Sequence, residues 1–323
     1  MTKILVIGTA GQIGSELTMA LRQRYGNVNV VAGINKTRPK GLLFWSGPIV
    51  TCDCLNVGQL KAVVESFGIK RIYHLAAILS AVGESNPHLA WDVNINGLYN
   101  VLEVARCCGC SVFAPSSIAA FGPSTPVDNT PQDTIQRPNT MYGLTKVAGE
   151  LLRDYYFKKF GVDARSVRYP GIISNVTLPG GGTTDYAVEI FYEAIKKKRF
   201  VCSLKPNTYL DMMYMPDAIK AAIDLMEADP SRLIHRNAFN VSAMSFCPAE
   251  LAAEIKKHIP DFEMTYQIDP LRQGIADSWP NKMDDSVARA EWGWQPEYDL
   301  ARMTKDMIEV LSKRLHAEGG VSV

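Results

Sequence analysis

Tyr142 and Lys146 stand four residues apart in MYGLTKVAGELLRDYY, a stretch whose apolar spacing predicts a helix, which stacks the two side chains on one side. Oxidation of an alcohol needs a base that takes the hydroxyl proton as hydride departs. A phenol with a pKa of about 10 is a weak base at neutral pH. An ammonium close by, together with positive charge on an oxidised acceptor, favours the phenolate and lowers that pKa. Ser117 lies upstream, just past the apolar run Val112–Ala114, where a strand-end hydroxyl can hold the substrate oxygen. A Tyr-x-x-x-Lys spacing also arises on ordinary helix surfaces, so the set gains meaning only beside a second constellation.

That constellation is KILVIGTAGQIGSELTMAL, Lys3–Leu21. Ile4, Leu5, Val6 and Ile7 form a short apolar run suited to a strand buried on both faces of a parallel sheet. Gly8, Gly11 and Gly14 follow, and Ile13, Leu17 and Leu21 then recur as the stripe of an amphipathic helix. A strand turning sharply into a helix aims free N–H groups and the positive dipole end at the turn, a ready site for a pyrophosphate. Three spaced glycines alone are a weak signal; between a buried strand and an amphipathic helix they indicate a dinucleotide site.

The elements needed to position these residues follow in order. The spacing predicts strands at Val28–Ala32, Ile49–Cys52, Arg71–Leu75 and Val112–Ala114, and helices at Leu60–Phe67, Asn94–Arg106 and Met141–Tyr156. The apolar face of the last helix reads as Leu144, Val147, Ala148, Leu151, Leu152 and Tyr155. An acidic residue commonly closes the second strand of a dinucleotide fold and bonds ribose hydroxyls. Here Gly33, Ile34 and Asn35 stand instead, with Lys36 and Arg38 just beyond. Asn35 can bond a ribose hydroxyl as a neutral partner, while the basic pair can attract a 2′-phosphate. With no arginine directly ending the strand, the balance favours NAD. Asp53 is placed to bond an adenine amino group or to be a plain surface carboxylate, and Ala76-Ala77 allow either close approach of a flat ring or a tight turn. Later, strands are expected at Tyr209–Met215 and Phe239–Val241. Helices are expected at Asp217–Glu227, Phe246–His258 and Leu300–Leu315, and a loose tail at Gly319–Val323. Lys196–Arg199 reads as a solvated helix end, and Trp292 and Trp294 as core packing.

Composition permits this reading. The 323 residues can bury a large core, and 34 basic against 33 acidic residues leave no footprint for nucleic acid or an anionic membrane. No apolar run approaches the roughly 20 residues that span a bilayer. Met1 stands just before the first strand, so no signal or transit peptide is expected in the sequence as given. The compartment, cytoplasm or an organelle matrix, stays open. The seven cysteines are irregularly placed, with no second pair or histidine cluster to complete a metal site, so no metal is expected.

The motifs GTAGQIG, HLAA, NINGLYN, PSSIAAFG, YGLTK and RYPG, in this order, resemble the extended short-chain dehydrogenase/reductases over almost the full chain. Within that superfamily HLAAILSAVGESNP, RYPGIISNVTLPGGGTTDYAVEIFYEA and ADSWP are similar to the short-chain type of L-threonine 3-dehydrogenases. The resemblance implies that Gly8, Gly11, Gln12, Ile13 and Gly14 cradle the pyrophosphate, with Asn35, Asp53 and Cys54 around the adenosine. Leu75, Ala76 and Ala77 would line the cofactor, Asn94 would support a water and the lysine, and Tyr169 to Ile172 would pass beside the nicotinamide. It implies Ser117, Tyr142 and Lys146 as the catalytic set, with Ser80, Thr183, Thr184 and Trp279 touching the amino acid. It also implies pairing of two copies through the helices at Asn94–Arg106 and Leu144–Tyr156, a homodimer.

The fold expected is α/β, a doubly wound parallel sheet with a smaller, mostly helical cap. The boundary is set at 1–175 for the dinucleotide-binding part and 176–323 for the cap, with 209–243 returning to the large part. Gly180-Gly181-Gly182 before Thr183, Thr184 and Asp185 read as a loop offering hydroxyls and a carboxylate to a zwitterion, or as a surface loop ending in a helix cap. The expected function is NAD-dependent oxidation of the L-threonine 3-hydroxyl. The competing readings are a nucleotide-sugar epimerase or dehydratase and a dinucleotide-sensing protein without turnover. The first needs a basic cap pocket, and 179–186 holds no Arg or Lys. The second has no use for a Tyr/Lys/Ser set.

Overall fold

The computed structural model describes residues 2–39, 41–177 and 182–319. The expected contributions of Gly180 and Gly181, and of the tail beyond Gly319, lie outside the described residues.

Six parallel strands form the main sheet, in the order Ile49–Thr51, Val30–Ile34, Ile4–Ile7, Arg71–His74, Ser111–Phe113, Ala164–Arg165. The apolar run at the start of the chain sits at its centre because it is apolar on both sides. Ile4 and Val6 pack with Leu17, Leu21, Tyr73 and Phe113 on one face, and Leu5 and Ile7 with Leu60, Leu98 and Leu102 on the other. Helix Gln12–Tyr25 covers the first face through Leu17 and Leu21, both fully buried; each contributes about 1.5–3 kcal/mol relative to exposure. Strand order reverses beside Ile4–Ile7, and in open α/β sheets ligands bind outside the carboxyl ends of strands at that point.

Element ends fall within about four residues of expectation, and some of the differences are informative. The second strand runs Val30–Ile34, so Gly33 and Ile34 lie within it. Asn94 does not lie in a plain α-helix: Asp92–Asn96 is a π-turn feeding helix Gly97–Cys108. The wider turn leaves Leu98, Val101, Leu102 and Ala105 on the core stripe while Asn94 itself is buried among polar partners. Pro248 does start a helix, Pro248–Lys256, but Phe246 belongs to the preceding strand. Helix Met141–Phe160 turns Gly143, Thr145, Gly149, Glu150 and Arg153 inward, whereas Leu144, Leu151 and Tyr155 are 45%, 63% and 53% exposed. Half of the face read as apolar therefore points outward, while Leu152 of that face packs against the core.

The cap has its own core, built on Tyr186, Phe191, Phe200, Leu251, Phe262, Met303 and Met307. Ile118, Ala119 and Phe121 from the first half belong to it, so a cut at residue 175 divides that core. Helix Met215–Glu227 packs on the large sheet, and strands Leu210–Tyr214 and Phe239–Asn240 pair with Gly171–Ile173 and Val167–Tyr169, the joint between the two parts. Trp294 is fully buried in the large part.

Candidate active site

The turn after Ile7 is dictated by packing. Gly8 has φ +87°, and a Cβ there would lie 2.6 Å from the Ala76 nitrogen. At Gly14 a Cβ would lie 2.2 Å from the Gly8 carbonyl oxygen. Neither position can carry a side chain. Gly11 is different: a Cβ would meet only the Gly8 oxygen, at 3.3 Å. What glycine gives there is open room at the helix N-terminus, where no side chain caps the free N–H groups. An anion fits that cradle by charge and by space.

The turn opens into a cavity of about 290 Å³ whose wall is drawn from many parts of the chain. Gly8, Gly11, Gln12, Ile13 and Gly14 line it, together with Leu75, Ala76, Ala77, Asn94, Tyr169 and Ile172. Ser117, Tyr142 and Lys146 also line it, as do Ser80, Thr183, Thr184 and Trp279. Asn35, Asp53 and Cys54 do not line it. Asn35 is exposed just past the second strand, beside the exposed Lys36 and Arg38. The Asp53 carboxylate accepts from the Leu55 N–H at 3.0 Å, and Cys54 is buried, with its Sγ 2.8 Å from where a Cβ on Gly97 would stand.

Each polar side chain is fixed by a neighbour. Thr140 caps the helix carrying Tyr142, its hydroxyl accepting from the Gly143 N–H at 3.0 Å. Lys146 Nζ donates to the Pro115 carbonyl at 2.8 Å and stands 5.2 Å from the Tyr142 ring centroid. Ser117 lies two residues after Pro115, in the strand Ser116–Ser117, and its hydroxyl accepts from the Ala119 N–H at 3.2 Å. Asn94 donates from Nδ2 to the Ile78 carbonyl at 3.0 Å and to Thr145 Oγ1 at 3.0 Å, and its Oδ1 accepts from the Ile78 N–H at 2.8 Å.

Behind this set lies a charged layer that sequence reasoning missed. Glu150 and Arg168 pair at 2.8 Å, both side chains almost inaccessible. Glu150 also accepts from Ser116 Oγ and, at 2.8 Å, from Gln136. Arg168 donates to the Gln132 carbonyl at 2.8 Å and to Asn240 Oδ1 at 2.9 Å. The cluster welds the serine strand, the tyrosine helix and strand Val167–Tyr169. His74 and Arg153 line the cavity and are buried, and the His74 Nδ1 and Arg153 Nη2 atoms lack hydrogen-bond partners. The available signal was the helix register: Tyr142, Lys146, Glu150 and Arg153 fall on one inward side.

Charge is costly in this pocket. Burial pushes the Tyr142 phenol up to about 12, with Ser117 pulling against it. Burial, then Arg153, pushes Lys146 down to about 7 against the pull of Glu150. His74 is held down at about 3 by burial, Lys146 and Arg153, so it is neutral. At rest the site favours the phenol, and each charge of a phenolate–ammonium pair becomes cheaper when the other is present.

Among the described residues no cluster of three His, Cys, Asp or Glu can hold a metal, and no helix is long and apolar enough to cross a membrane.

The NAD dependent epimerase/dehydratase family matches residues 4–242. An uncharacterised epimerase/dehydratase of Staphylococcus haemolyticus is 53% identical over 314 residues, 97% of this chain and 99% of that protein. The X-ray structure of L-threonine dehydrogenase from Clostridium difficile is 55% identical, covers 97% of this chain and 98% of its own, and superposes with a TM-score of 0.95. A monomeric L-threonine 3-dehydrogenase from a metagenome is 45% identical, with 96% and 99% covered and a TM-score of 0.92.

Proposed function

From the premise that this chain belongs to the NAD dependent epimerase/dehydratase family, we propose that it oxidises the 3-hydroxyl of L-threonine to 2-amino-3-oxobutyrate with NAD. The observation that carries the reading is one cavity lined by the glycine turn Gly8–Gly14, by Tyr142, Lys146 and Ser117, and by the hydroxyls of Ser80, Thr183 and Thr184 with the Trp279 indole. When bound, the oxidised dinucleotide supplies the hydride acceptor and a positive charge.

Ser117 orients the alcohol oxygen and Tyr142 takes its proton. The charge then developing on Tyr142 is offset by Lys146, itself held by the Pro115 carbonyl. Asn94 keeps the helix-side wall in register through Thr145 and Ile78. Ser80, Thr183 and Thr184 give hydroxyls to the ammonium and carboxylate, and Trp279 closes the apolar side against the methyl group. Wall residues 182–185 carry no base that would bind the second diphosphate of a nucleotide sugar. Asn35 serves the ribose of NAD as a neutral partner, with Lys36 and Arg38 in solvent.

Absorbance at about 340 nm, the reduced nicotinamide band, tests the proposal. L-threonine with NAD should give a rising signal, and 2-butanol, which lacks the amino acid head, should give almost none, because a site built to bond polar groups rejects analogues without them. Equal turnover of 2-butanol or of a nucleotide sugar, or a higher kcat/KM with NADP, would overturn the corresponding part.

A further inference from the structure

Gly171 opens strand Gly171–Ile173 and pairs with Met212 across the joint between sheet and cap. Its backbone is not in the left-handed region, so conformation does not call for glycine there. Space does. A Cβ at Gly171 would stand 2.4 Å from Met212 Sδ, 2.7 Å from Thr184 Cγ2 and 3.0 Å from Thr184 Cβ. The side chain of Thr184 therefore lies on the bare backbone of this strand. Gly171, the strand's next residue Ile172, and Thr184 all line the cavity.

We propose that Gly171 is a positioning residue for the substrate: its bare Cα is the seat that sets how deeply Thr184 lies, and hence the size of the substrate end of the cavity. This rests on the reading that Thr184 contacts the amino acid head. A methyl group at 171 forces a neighbour to move. Met212 has no exposure and sits mid-strand, paired on both sides by Gly171 and Met244, in a close-packed core that resists volume change. Thr184 stands in a turn ahead of helix Tyr186–Lys197 and is only half-buried, so Thr184 yields. The three atoms nearest that Cβ belong to Met212 and Thr184 and none to the glycine cradle Gly8–Gly14.

Steady-state kinetics with cofactor titration test this. Gly171→Ala should raise KM for L-threonine about tenfold, with kcat changed less than about threefold and NAD affinity within about twofold. Thr184→Ser removes Cγ2 and keeps the hydroxyl. Added to Gly171→Ala, it should bring KM back towards that of Thr184→Ser alone, whereas Met212→Val added to Gly171→Ala should leave KM high. An unchanged KM in Gly171→Ala, an equal loss of NAD affinity, or rescue by Met212→Val instead of Thr184→Ser would overturn the seat. Melting curves separate this idea from the threonine reading. Absence of threonine oxidation by the wild-type chain defeats that reading alone. The seat still requires that the Gly171→Ala/Thr184→Ser pair melt higher than the two single changes add up to, and strict additivity defeats it. If Gly171→Ala alone does not fold, folding of the pair counts as rescue, and failure of both overturns the seat.

Discussion

Tyr142 meets its neighbours in a pocket that opposes its ionisation, so its proton is the quantity to follow. Tyr142→Phe removes one hydroxyl from a side chain whose ring still packs against the cap core. Cofactor binding and melting temperature should hold while turnover falls by roughly 10²–10⁴. Because burial holds the phenol up, the phenolate gains population as pH rises, so wild-type kcat/KM should climb from neutral to alkaline pH. Residual activity in the phenylalanine variant should lack that climb. Near-normal turnover, or an unchanged pH profile in the variant, removes Tyr142 as the proton acceptor.

Two buried acids show how elements are held in place. Glu150 joins the tyrosine helix to the serine strand and to Arg168. Glu150→Ala leaves Arg168 buried without its carboxylate, which costs about 3–5 kcal/mol in comparable pairs. Denaturant unfolding should show that loss, and a change under about 1 kcal/mol, the size of an exposed pair, would refute it. Asp211 sits on strand Leu210–Tyr214, accepting from the Met283 N–H at 2.7 Å and Ser242 Oγ at 2.9 Å, and so anchors the segment following Trp279. Burial raises its carboxyl from the ordinary 3.8 to about 8. A folded value above the unfolded one gives stability that is complete below about 4 and lost as pH rises through 8. Asp211→Asn keeps an acceptor for Met283 and can donate to Ser242, so its melting temperature should gain on the wild type between pH 4 and 8. A gap that does not change with pH would contradict this.

At the scale of the whole molecule, the outer face of helix Met141–Phe160 and its neighbour Gly97–Cys108 leave Leu144, Leu151, Tyr155 and Tyr99 exposed. Such a row suits a second copy related by a two-fold axis. Light scattering should report twice the mass of one chain, and Leu151→Glu should report one. A monomer in the wild type, the state ascribed to the metagenome relative, would refute the pairing. Much of the large domain was legible in the sequence, because a strand apolar on both sides announces its central place and glycines before a helix announce a turn. Tyr142 and Lys146 were legible because spacing on one helix is a local property. Glu150, Arg153 and His74 were not: whether a charged residue faces water or protein depends on partners far along the chain, as Arg168 and Asn237 are for Glu150 and Arg153. For the same reason the direction of the apolar stripe on the tyrosine helix was not legible, since apolar periodicity finds a stripe without saying which way it turns.

The cavity wall begins at Gly8 and is finished only by Trp279, and this fixes when in the life of the chain a dinucleotide can matter. During synthesis the phosphate turn emerges early, yet the wall is complete only once Trp279 has followed. The complete site therefore exists only in the nearly finished molecule. Once bound, the dinucleotide ties together segments from both halves, so at about 100 times its dissociation constant it should add about 2.7 kcal/mol against global unfolding. Proteolytic nicking that requires such unfolding should then slow at sites far from the cavity as well as beside it.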